Sequence, residues 1–374
     1  MSHLTLSGPT LLPDGAIADA TVVVAGGRIA RVARGPAAAA DLAVDGIIAP
    51  GMIDLQLNGG FGHDFTTDGR SVAAVAARLP ASGVTAFLPT IITSPLDSYQ
   101  RRLAEIQSAA REDAGADVLG VHLEGPYISP LRKGAHDPAL IRPLDPGVID
   151  RWAGHPLVRM VTLAPELPGA LEAARRLSAG GVVVSAGHSN ATFAEASDGF
   201  AAGFGMGTHL FNAMPELRQR EPGLAGAFLS ASVPCGIIAD GAHIHPAMVG
   251  LALRVKGPAA LALVTDAMAA MGMPPGRYRL GDREVIVDGA VSRLPDGTLA
   301  GSILTLDQAV RNVVEYAGCD PALALAMASH TPARVLGLAT KGRLAAGCDA
   351  DIVVLDRSLR VTRTFVGGRL AFTA

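Results

Sequence analysis

The sequence predicts an α/β fold: a (β/α)8 TIM barrel with a small β-sandwich domain formed by the N- and C-terminal segments. Eight apolar, strand-like runs alternate with Ala-rich, helix-like segments through the middle of the 374-residue chain. Most of these runs are continuously apolar, as the strands of a parallel sheet covered on both faces must be. Both ends of the chain are instead rich in β-branched residues. A doubly wound open sheet is the alternative architecture.

The eight predicted strands are spaced evenly enough for repeated βα units. They lie at 47–57, 84–90, 118–125, 158–166, 182–189, 203–210, 235–243 and 261–268. Helix-like segments such as 71–83 and 168–181 separate most of them. Eight βα units over roughly 290 residues match the size of a typical barrel.

The domain boundaries follow from the same patterns. Residues 1–47 and 338–374 are expected to form the small β domain, and residues 48–337 the barrel. Within the barrel, the polar and β-branched residues of 276–300 predict a β-hairpin insertion after the eighth strand. This insertion is a candidate lid over the active site.

Composition excludes several classes of function. The net charge of -3 and pI near 6.4 provide no basic field for a nucleic acid. No apolar run reaches the roughly 18 residues of a membrane span. Three cysteines, dispersed and odd in number, argue against a disulfide framework. The N-terminus has no signal-peptide pattern. We therefore expect a cytoplasmic protein with no nucleic-acid or membrane partner.

Polar residues end the apolar runs, where barrel enzymes place their active sites. They are Gln56, Asn58, Glu124, Glu166, His188, His209, Asp240, His243 and Asp266. A single such residue could be a helix cap or a buried polar side chain with all its hydrogen bonds formed. So many at one rim favour an active site.

A metal centre is the most specific hypothesis that these residues allow. Glu124, His188 and His209 provide one carboxylate and two imidazoles, a zinc-type ligand set that leaves a position open for water. The competing interpretation is that both histidines are satisfied core residues. Asp266 could accept a proton from the activated water and pass it to a leaving group, although a helix cap or a plain metal ligand is the alternative. His136, after a long loop, could reach the site from above.

Several motifs occur in an order that resembles a known family. They are PGMIDLQLNG, HLEGPYISP, KGAH, SAGHSNAT, THLFNAM, REPGLAGA, ADGAH and VTDAM. Together they resemble the N-acetylglucosamine-6-phosphate deacetylase family of the amidohydrolase superfamily. The segment GRLAAGCDADIVVLD resembles the closing β-strands of that superfamily. The resemblance extends from about residue 45 to 370.

The resemblance implies a metal-dependent hydrolase that converts N-acetylglucosamine 6-phosphate to glucosamine 6-phosphate and acetate. It implies one divalent ion per subunit, with zinc first and iron, cobalt or manganese as alternatives, and a homodimer with phosphate contacts across the interface. The implied residue roles are metal binding by Glu124, His188 and His209; proton transfer by Asp266; carbonyl polarisation by His136; and substrate contacts by His136, Asn212, Ala213, Arg220 and His243.

The first strand departs from the two-metal pattern of the superfamily. Many amidohydrolases carry two histidines where this chain has Gln56 and Asn58. Neutral amides are poor metal ligands, so we expect the second metal site to be empty or weak. Gln56 could still orient water near the metal.

Two other functions stay open at this point. The same fold could act on another N-acyl or cyclic amide, as a dihydroorotase-like enzyme or an N-acyl-amino-acid deacylase. Alternatively, the barrel could be a non-catalytic binding protein that retains the fold of an enzyme but not its activity. The phosphate contact predicted for Arg220 distinguishes the sugar-phosphate deacetylase from the first alternative. Bound metal, measured as metal content, distinguishes it from the second.

Overall fold

Eight parallel strands form the central barrel in a computed structural model that describes residues 3–110, 115–289 and 291–374. In chain order they are β1 Met52–Leu57, β2 Val84–Ile92, β3 Val121–Glu124, β4 Val158–Leu163, β5 Val183–Ala186, β6 Phe204–Gly207, β7 Cys235–Ile237 and β8 Leu261–Leu263. Each strand pairs with the next in parallel register, and the short strand Asp117–Val118 also pairs with β2.

The circle of strands closes between the first strand and the segment after the last. Leu57 and Ala267 form a parallel bridge, and the backbone N–H of Asp266 donates to the carbonyl of Gln56 at 2.9 Å. An open doubly wound sheet would leave these two edges apart. The closure therefore identifies a barrel.

Helices surround the barrel and follow most of its strands. The α-helices of the described residues are α1 Val72–Ala76, α2 Ser98–Ala109, α3 Pro146–Ala153, α4 Ala170–Ala179, α5 Phe193–Ala202, α6 Gly223–Ser230, α7 Pro246–Lys256, α8 Leu306–Ala317, α9 Pro321–Ala328 and α10 His330–Val335. Short 3-10 turns lie at Gly69–Ser71, Leu79–Ser82, Pro130–Arg132, Pro138–Leu140 and Pro258–Ala260. Among the helices of the described ranges, none is both long and apolar enough to cross a membrane.

Helix α8 is amphipathic, whereas the barrel strands are not. Every residue of β1 and β2 is buried, because side chains on one face fill the barrel and those on the other meet the helices. In α8, by contrast, Leu306, Ala309, Val310 and Val313 are buried and recur at helical spacing. Each continuous apolar run of the sequence therefore overlaps a barrel strand, although the first run also includes a strand of another sheet.

Both termini contribute to a second, smaller sheet. Its strands are His3–Leu11, Ile17–Ala25, Arg28–Arg34, Leu42–Ala43, Ile47–Pro50, Ile352–Leu355, Val361–Val366 and Arg369–Thr373. The two halves join where Ile47–Pro50 pairs antiparallel with Ile352–Leu355. Its own apolar core includes Leu6, Val22 and Phe365. The predicted fold class, a barrel with a small β domain from both ends, is confirmed.

The run 47–57, predicted as a single strand, forms two strands instead. Ile47–Pro50 belongs to the terminal sheet, and Met52–Leu57 is β1. Gly51 lies between them and packs so closely on Thr85 that a Cβ at this position would lie 2.1 Å from the Thr85 hydroxyl oxygen. A glycine lets the chain pass from one sheet to the other at this point.

The segment 276–300 forms three antiparallel strands, Gly276–Leu280, Arg283–Asp288 and Val291–Arg293, where a two-stranded hairpin was expected. Leu280 and Val285 pack with Ile92, the last residue of β2, and with Met268, which follows β8. The small sheet thus covers part of the barrel mouth. A further hairpin, Gly59–Gly60 with His63–Asp64, follows β1.

Candidate active site

Three residues at the barrel mouth have backbone conformations that L-amino acids rarely adopt. The φ angles are 48° for His188, 32° for His209 and 48° for Asp266. Each residue follows the carboxyl end of a strand, β5, β6 or β8. Positive φ at residues with a Cβ costs on the order of 1–3 kcal/mol, and such strain clusters at functional sites. Here it turns the chain sharply, and the three side chains line one cavity.

Glu124, His188 and His209 converge on one point. The Nε2 atoms of His188 and His209 each lie 3.2 Å from Oε1 of Glu124, and 3.0 Å from one another. All three side chains are buried. The structure therefore brings together the three predicted metal ligands, which come from different strands of the barrel.

The donor chemistry of this cluster fits a single divalent cation. Nδ1 of His188 lies 2.9 Å from the carbonyl oxygen of Arg132 and must donate to it, so Nε2, which faces the cluster, is the nitrogen that would bind a cation. A backbone carbonyl behind a ligand histidine is a common support in metal sites. Donors of a tetrahedral ion with bonds of about 2.0–2.1 Å lie roughly 3.3 Å apart, close to the separations of this cluster.

Hydrogen bonds within the cluster keep the carboxylate of Glu124 ionised. Burial alone would raise the pKa of Glu124, but hydrogen bonds from His188 and His209 outweigh it and hold the pKa well below the usual value. Burial disfavours the charged form of His209, yet the hydrogen bond and charge of Glu124 raise its pKa. A carboxylate that stays ionised in a buried site is available as a ligand.

Asp266 lies beside this cluster and accepts hydrogen bonds from two amides of β1 and the residue after it. Nε2 of Gln56 and Nδ2 of Asn58 both donate to Oδ1, at 3.1 and 2.7 Å. Gln56 also donates to Oε1 of Glu124 at 2.9 Å and so bridges the two carboxylates. Burial, followed by the charge of Glu124, raises the pKa of Asp266 to about 6.

His136 reaches the site from the loop after β3. Its ring lies edge-on to that of His188, with centroids 4.3 Å apart. Its Nδ1 is 2.7 Å from Oγ1 of Thr93. Burial, and then the neighbouring His188, lower the pKa of His136 to about 3, so the ring is neutral at pH 7. A neutral imidazole can donate a hydrogen bond without carrying a charge.

A cavity of about 240 Å³ connects these groups. It is lined by the five groups Glu124, His188, His209, Asp266 and His136, and also by Asn58, Asn212, Ala213 and His243. His243 Nδ1 lies 2.7 Å from Oδ2 of Asp240, and both side chains are almost fully covered. Leu280, Thr298 and Leu299, from the segment around the three-stranded insertion, complete the lining.

Comparison with known proteins identifies the family of this site. The profile of the Amidohydrolase family matches residues 47–371, which is most of the chain. The chain belongs to the amidohydrolase family.

Within this family, the most informative relatives are sugar-phosphate deacetylases. The human N-acetylglucosamine-6-phosphate deacetylase is 45% identical over 88% of this chain and 84% of its own. The N-acetylgalactosamine-6-phosphate deacetylase of Escherichia coli O157:H7 is 40% identical over 99% of this chain and 100% of its own. An N-acetylglucosamine-6-phosphate deacetylase mutant from Mycobacterium smegmatis, solved in complex with N-acetylglucosamine 6-phosphate, superposes with a TM-score of 0.94 at 38% identity, covering 100% of each chain.

One predicted substrate residue of this amidohydrolase is not brought to the cavity. Arg220 is exposed and is absent from the lining, whereas Asn212, Ala213 and His243 are part of it. Arg220 therefore does not line the cavity of its own subunit. Glu166, another rim residue, instead accepts hydrogen bonds from Ser189 Oγ and the backbone N–H of Asn190.

Two residues without a predicted role lie close to the predicted groups in this amidohydrolase site. Asn58 hydrogen-bonds Asp266, and Thr93 hydrogen-bonds His136. The sequence does indicate that Asn58 lies near the site, because Asn58 shares a strand face with Gln56. For Thr93 the only indication is that it follows a predicted strand.

Proposed function

We propose that this amidohydrolase hydrolyses the acetamido group of N-acetylglucosamine 6-phosphate, releasing glucosamine 6-phosphate and acetate. The observation that carries the proposal is the convergence of Glu124, His188 and His209 with Asp266 and His136 on one cavity. The same chain matches sugar-phosphate deacetylases over most of its length, which supports the substrate class.

Glu124, His188 and His209 would hold one divalent ion per subunit. When bound there, such an ion lowers the pKa of a coordinated water and polarises the carbonyl of the amide. Zinc suits a donor set of two imidazoles and one carboxylate. Iron, cobalt and manganese tolerate the same donors, so metal availability decides among them. The amides of Gln56 and Asn58 are both committed to carboxylates, which supports a single ion.

Asp266 acts as the proton shuttle in this proposal. Gln56 and Asn58 occupy its Oδ1, which leaves Oδ2 to accept a proton from the attacking water. The protonated carboxyl then donates that proton to the amine as the C–N bond breaks. A pKa raised to about 6 supports this role, because both protonation states are accessible near neutral pH.

His136 stabilises the oxygen of the acetyl group as negative charge develops on it. A neutral ring with its proton on the nitrogen that faces the substrate is a preorganised donor of the oxyanion-hole type. Such a donor strengthens its bond as the carbonyl becomes tetrahedral. This is the difference between transition-state and ground-state binding that accelerates a reaction.

The sugar phosphate would extend along the cavity towards Asn212, Ala213 and His243. Ala213 has a φ of 49°, and this sharp turn is compatible with backbone donors that face the cavity. Arg220 would complete the phosphate site from a neighbouring subunit, because a guanidinium fork suits phosphate. The proposed assembly is therefore a homodimer with shared phosphate contacts.

N-acetylgalactosamine 6-phosphate is a second candidate substrate. The relative named for that sugar covers this chain from end to end, which the curated glucosamine relatives at 43–45% identity do not. The two sugars differ only in the configuration at C4. The acetamido chemistry proposed for Asp266 and His136 is the same for both.

The domain boundary expected near residue 47 is better placed at Gly51, because Ile47–Pro50 pairs within the terminal sheet. We place the second boundary near residue 338, with the barrel between the two. The cysteines Cys235, Cys319 and Cys348 are free thiols, which is compatible with the proposed cytoplasmic location.

An acetate-release assay tests the proposed function. Purified protein is given N-acetylglucosamine 6-phosphate, N-acetylgalactosamine 6-phosphate or unphosphorylated N-acetylglucosamine, with and without a chelator. We expect chelator-sensitive acetate release from one or both phosphorylated sugars, and little from the unphosphorylated one. Absence of release from both phosphates, with turnover of a cyclic amide or an N-acyl amino acid, would favour the alternative amidohydrolase functions.

A further inference from the structure

Thr93 makes two contacts with the same atom of His136. Its backbone N–H donates to Nδ1 at 3.3 Å, and its Oγ1 lies 2.7 Å from that atom. Thr93 directly follows β2, and its side chain is buried. The inner end of the His136 ring is therefore fixed by a rigid element of the barrel.

The two contacts determine where the proton of the imidazole lies. A backbone N–H can only donate, so Nδ1 of His136 must accept and cannot carry a hydrogen. The hydroxyl of Thr93 then donates to Nδ1 as well, because an unprotonated nitrogen offers it only a lone pair. A neutral imidazole has one hydrogen, and that hydrogen must be on Nε2.

The remaining nitrogen is the one that can meet a ligand. His136 lines the catalytic cavity, while its Nδ1 is turned to Thr93. Within residues 3–110, 115–289 and 291–374, no hydrogen bond to Nε2 of His136 is formed. The Nε2–H group is therefore a free donor at the cavity wall.

The neighbouring backbone is shaped around the hydroxyl of Thr93. Gly125 follows the ligand Glu124 and has a φ of 85°. A Cβ at Gly125 would lie 2.2 Å from Oγ1 of Thr93, so no other residue fits without displacing that hydroxyl. The carbonyl of Glu124 also faces this hydroxyl as an acceptor, but at 3.5 Å it is too distant to compete with Nδ1 of His136 at 2.7 Å for the single hydroxyl hydrogen. Thr93 thus lies between a proposed metal ligand and the proposed carbonyl donor.

We infer that Thr93 is a positioning residue that holds His136 in the Nε2–H tautomer and so makes it a hydrogen-bond donor to the acetyl oxygen. The catalytic part of this inference rests on the proposed deacetylase function. Thr93 does not touch substrate in this account. It acts through His136, and its removal should affect the transition state more than substrate binding.

The test compares Thr93→Val, which removes the hydroxyl at equal size, with Thr93→Ser, which keeps it. We expect kcat for the phosphorylated sugar to fall about 10- to 100-fold in Thr93→Val, since a full oxyanion donor contributes roughly 100- to 1000-fold. The KM and the metal content should stay within about twofold. Thr93→Ser should recover kcat to within a few-fold of the wild type.

A spectroscopic readout tests the tautomer without any substrate. In 15N-histidine-labelled protein, the His136 signals are assigned by their loss in His136→Gln. We expect the wild type to carry its proton on Nε2, and Thr93→Val to show a mixed population. Protonation on Nδ1 in the wild type would overturn the inference, as would unchanged kcat in Thr93→Val. If the wild type releases no acetate but shows the Nε2–H tautomer, the proposed function fails while the positioning of His136 stands.

Discussion

Asn58 Nδ2 lies 2.7 Å from Oδ1 of Asp266, and this hydrogen bond joins the end of the first barrel strand to the residue proposed to move protons. Gln56 donates to the same oxygen from two residues earlier. Both amides stand where a two-metal amidohydrolase would carry histidines. In this chain the positions orient a carboxylate, which explains why neutral side chains fit them.

The hydrogen bond from Asn58 predicts a shift in the pH dependence. Asp266 must be ionised to accept a proton, so kcat/KM is lost as pH falls through its pKa. That pKa is raised to about 6 without a cation, and a bound cation lowers it, so we expect the acid limb of the pH profile at or below pH 6.

Variants of Asn58 test this contact. Asn58→Asp places a second carboxylate against Asp266 and should move the acid limb to higher pH. Asn58→Ala, which only removes the donor, should move it less. An acid limb at the same pH in the wild type and both variants would contradict the hydrogen bond between Asn58 and Asp266.

Substitution of Asp266 separates chemistry from binding. Asp266→Asn keeps the shape of the side chain and removes its basicity. General acid–base catalysis typically contributes about 100- to 10,000-fold, so kcat should fall at least 100-fold. Metal content by mass spectrometry and substrate affinity by calorimetry should change little. A variant with normal kcat would remove Asp266 from the mechanism.

The exposed Arg220 predicts an effect on substrate affinity that depends on assembly. Loss of a hydrogen bond to a charged group costs about 1.5–3 kcal/mol, so Arg220→Ala should raise KM for the phosphorylated sugar about 10- to 100-fold. Arg218→Ala is a matched control, since Arg218 is also exposed and already pairs with Glu216. Sedimentation should show a dimer in all three proteins. An unchanged KM in Arg220→Ala would exclude the phosphate contact.

Asp54, one layer below Gln56, predicts a pH-dependent stability. Burial raises its pKa to about 7 despite the hydrogen bond from Thr265 Oγ1. The folded state therefore binds a proton between about pH 4 and 7 that the unfolded chain has lost. Stability is lost as pH rises through this window, by about 4 kcal/mol at most.

Asp54→Asn has no carboxyl group to titrate at this position and should not lose this stability. Its free energy of unfolding should therefore rise relative to that of the wild type between pH 4 and 7. The free energy of unfolding from denaturant titrations measures it. Asp19→Asn, at an exposed position, is the control and should follow the wild type. A constant difference between Asp54→Asn and the wild type at every pH would show that Asp54 does not titrate in this range.

The sequence predicted those features that depend on the direction of the chain. Glu124, His188 and His209 end separate apolar strands, and parallel strands bring their carboxyl ends to one rim, so their convergence followed without coordinates. Patterns cannot specify contacts across the barrel. The bond from Asn58 to Asp266 requires the closing register between β1 and the segment after β8, and the approach of Thr93 to His136 requires the path of a long loop.

The break at Gly51 and the third strand of the insertion were missed for a related reason. Apolar residues continue on both sides of Gly51, so periodicity alone gives no sign that the chain changes sheets there. The turn is fixed by the close approach of Thr85, which is distant in sequence. Long-range contacts of this kind decide where such a run divides.

A metal titration measures how many ions each chain needs for turnover. Metal-depleted protein is titrated with zinc, and acetate release from N-acetylglucosamine 6-phosphate is measured at each addition. We expect no turnover without metal and a linear rise that saturates at one equivalent per chain, with Glu124→Ala and His188→Ala inactive at every addition. Full turnover in the depleted protein, or a requirement for two equivalents, would contradict a single ion held by Glu124, His188 and His209.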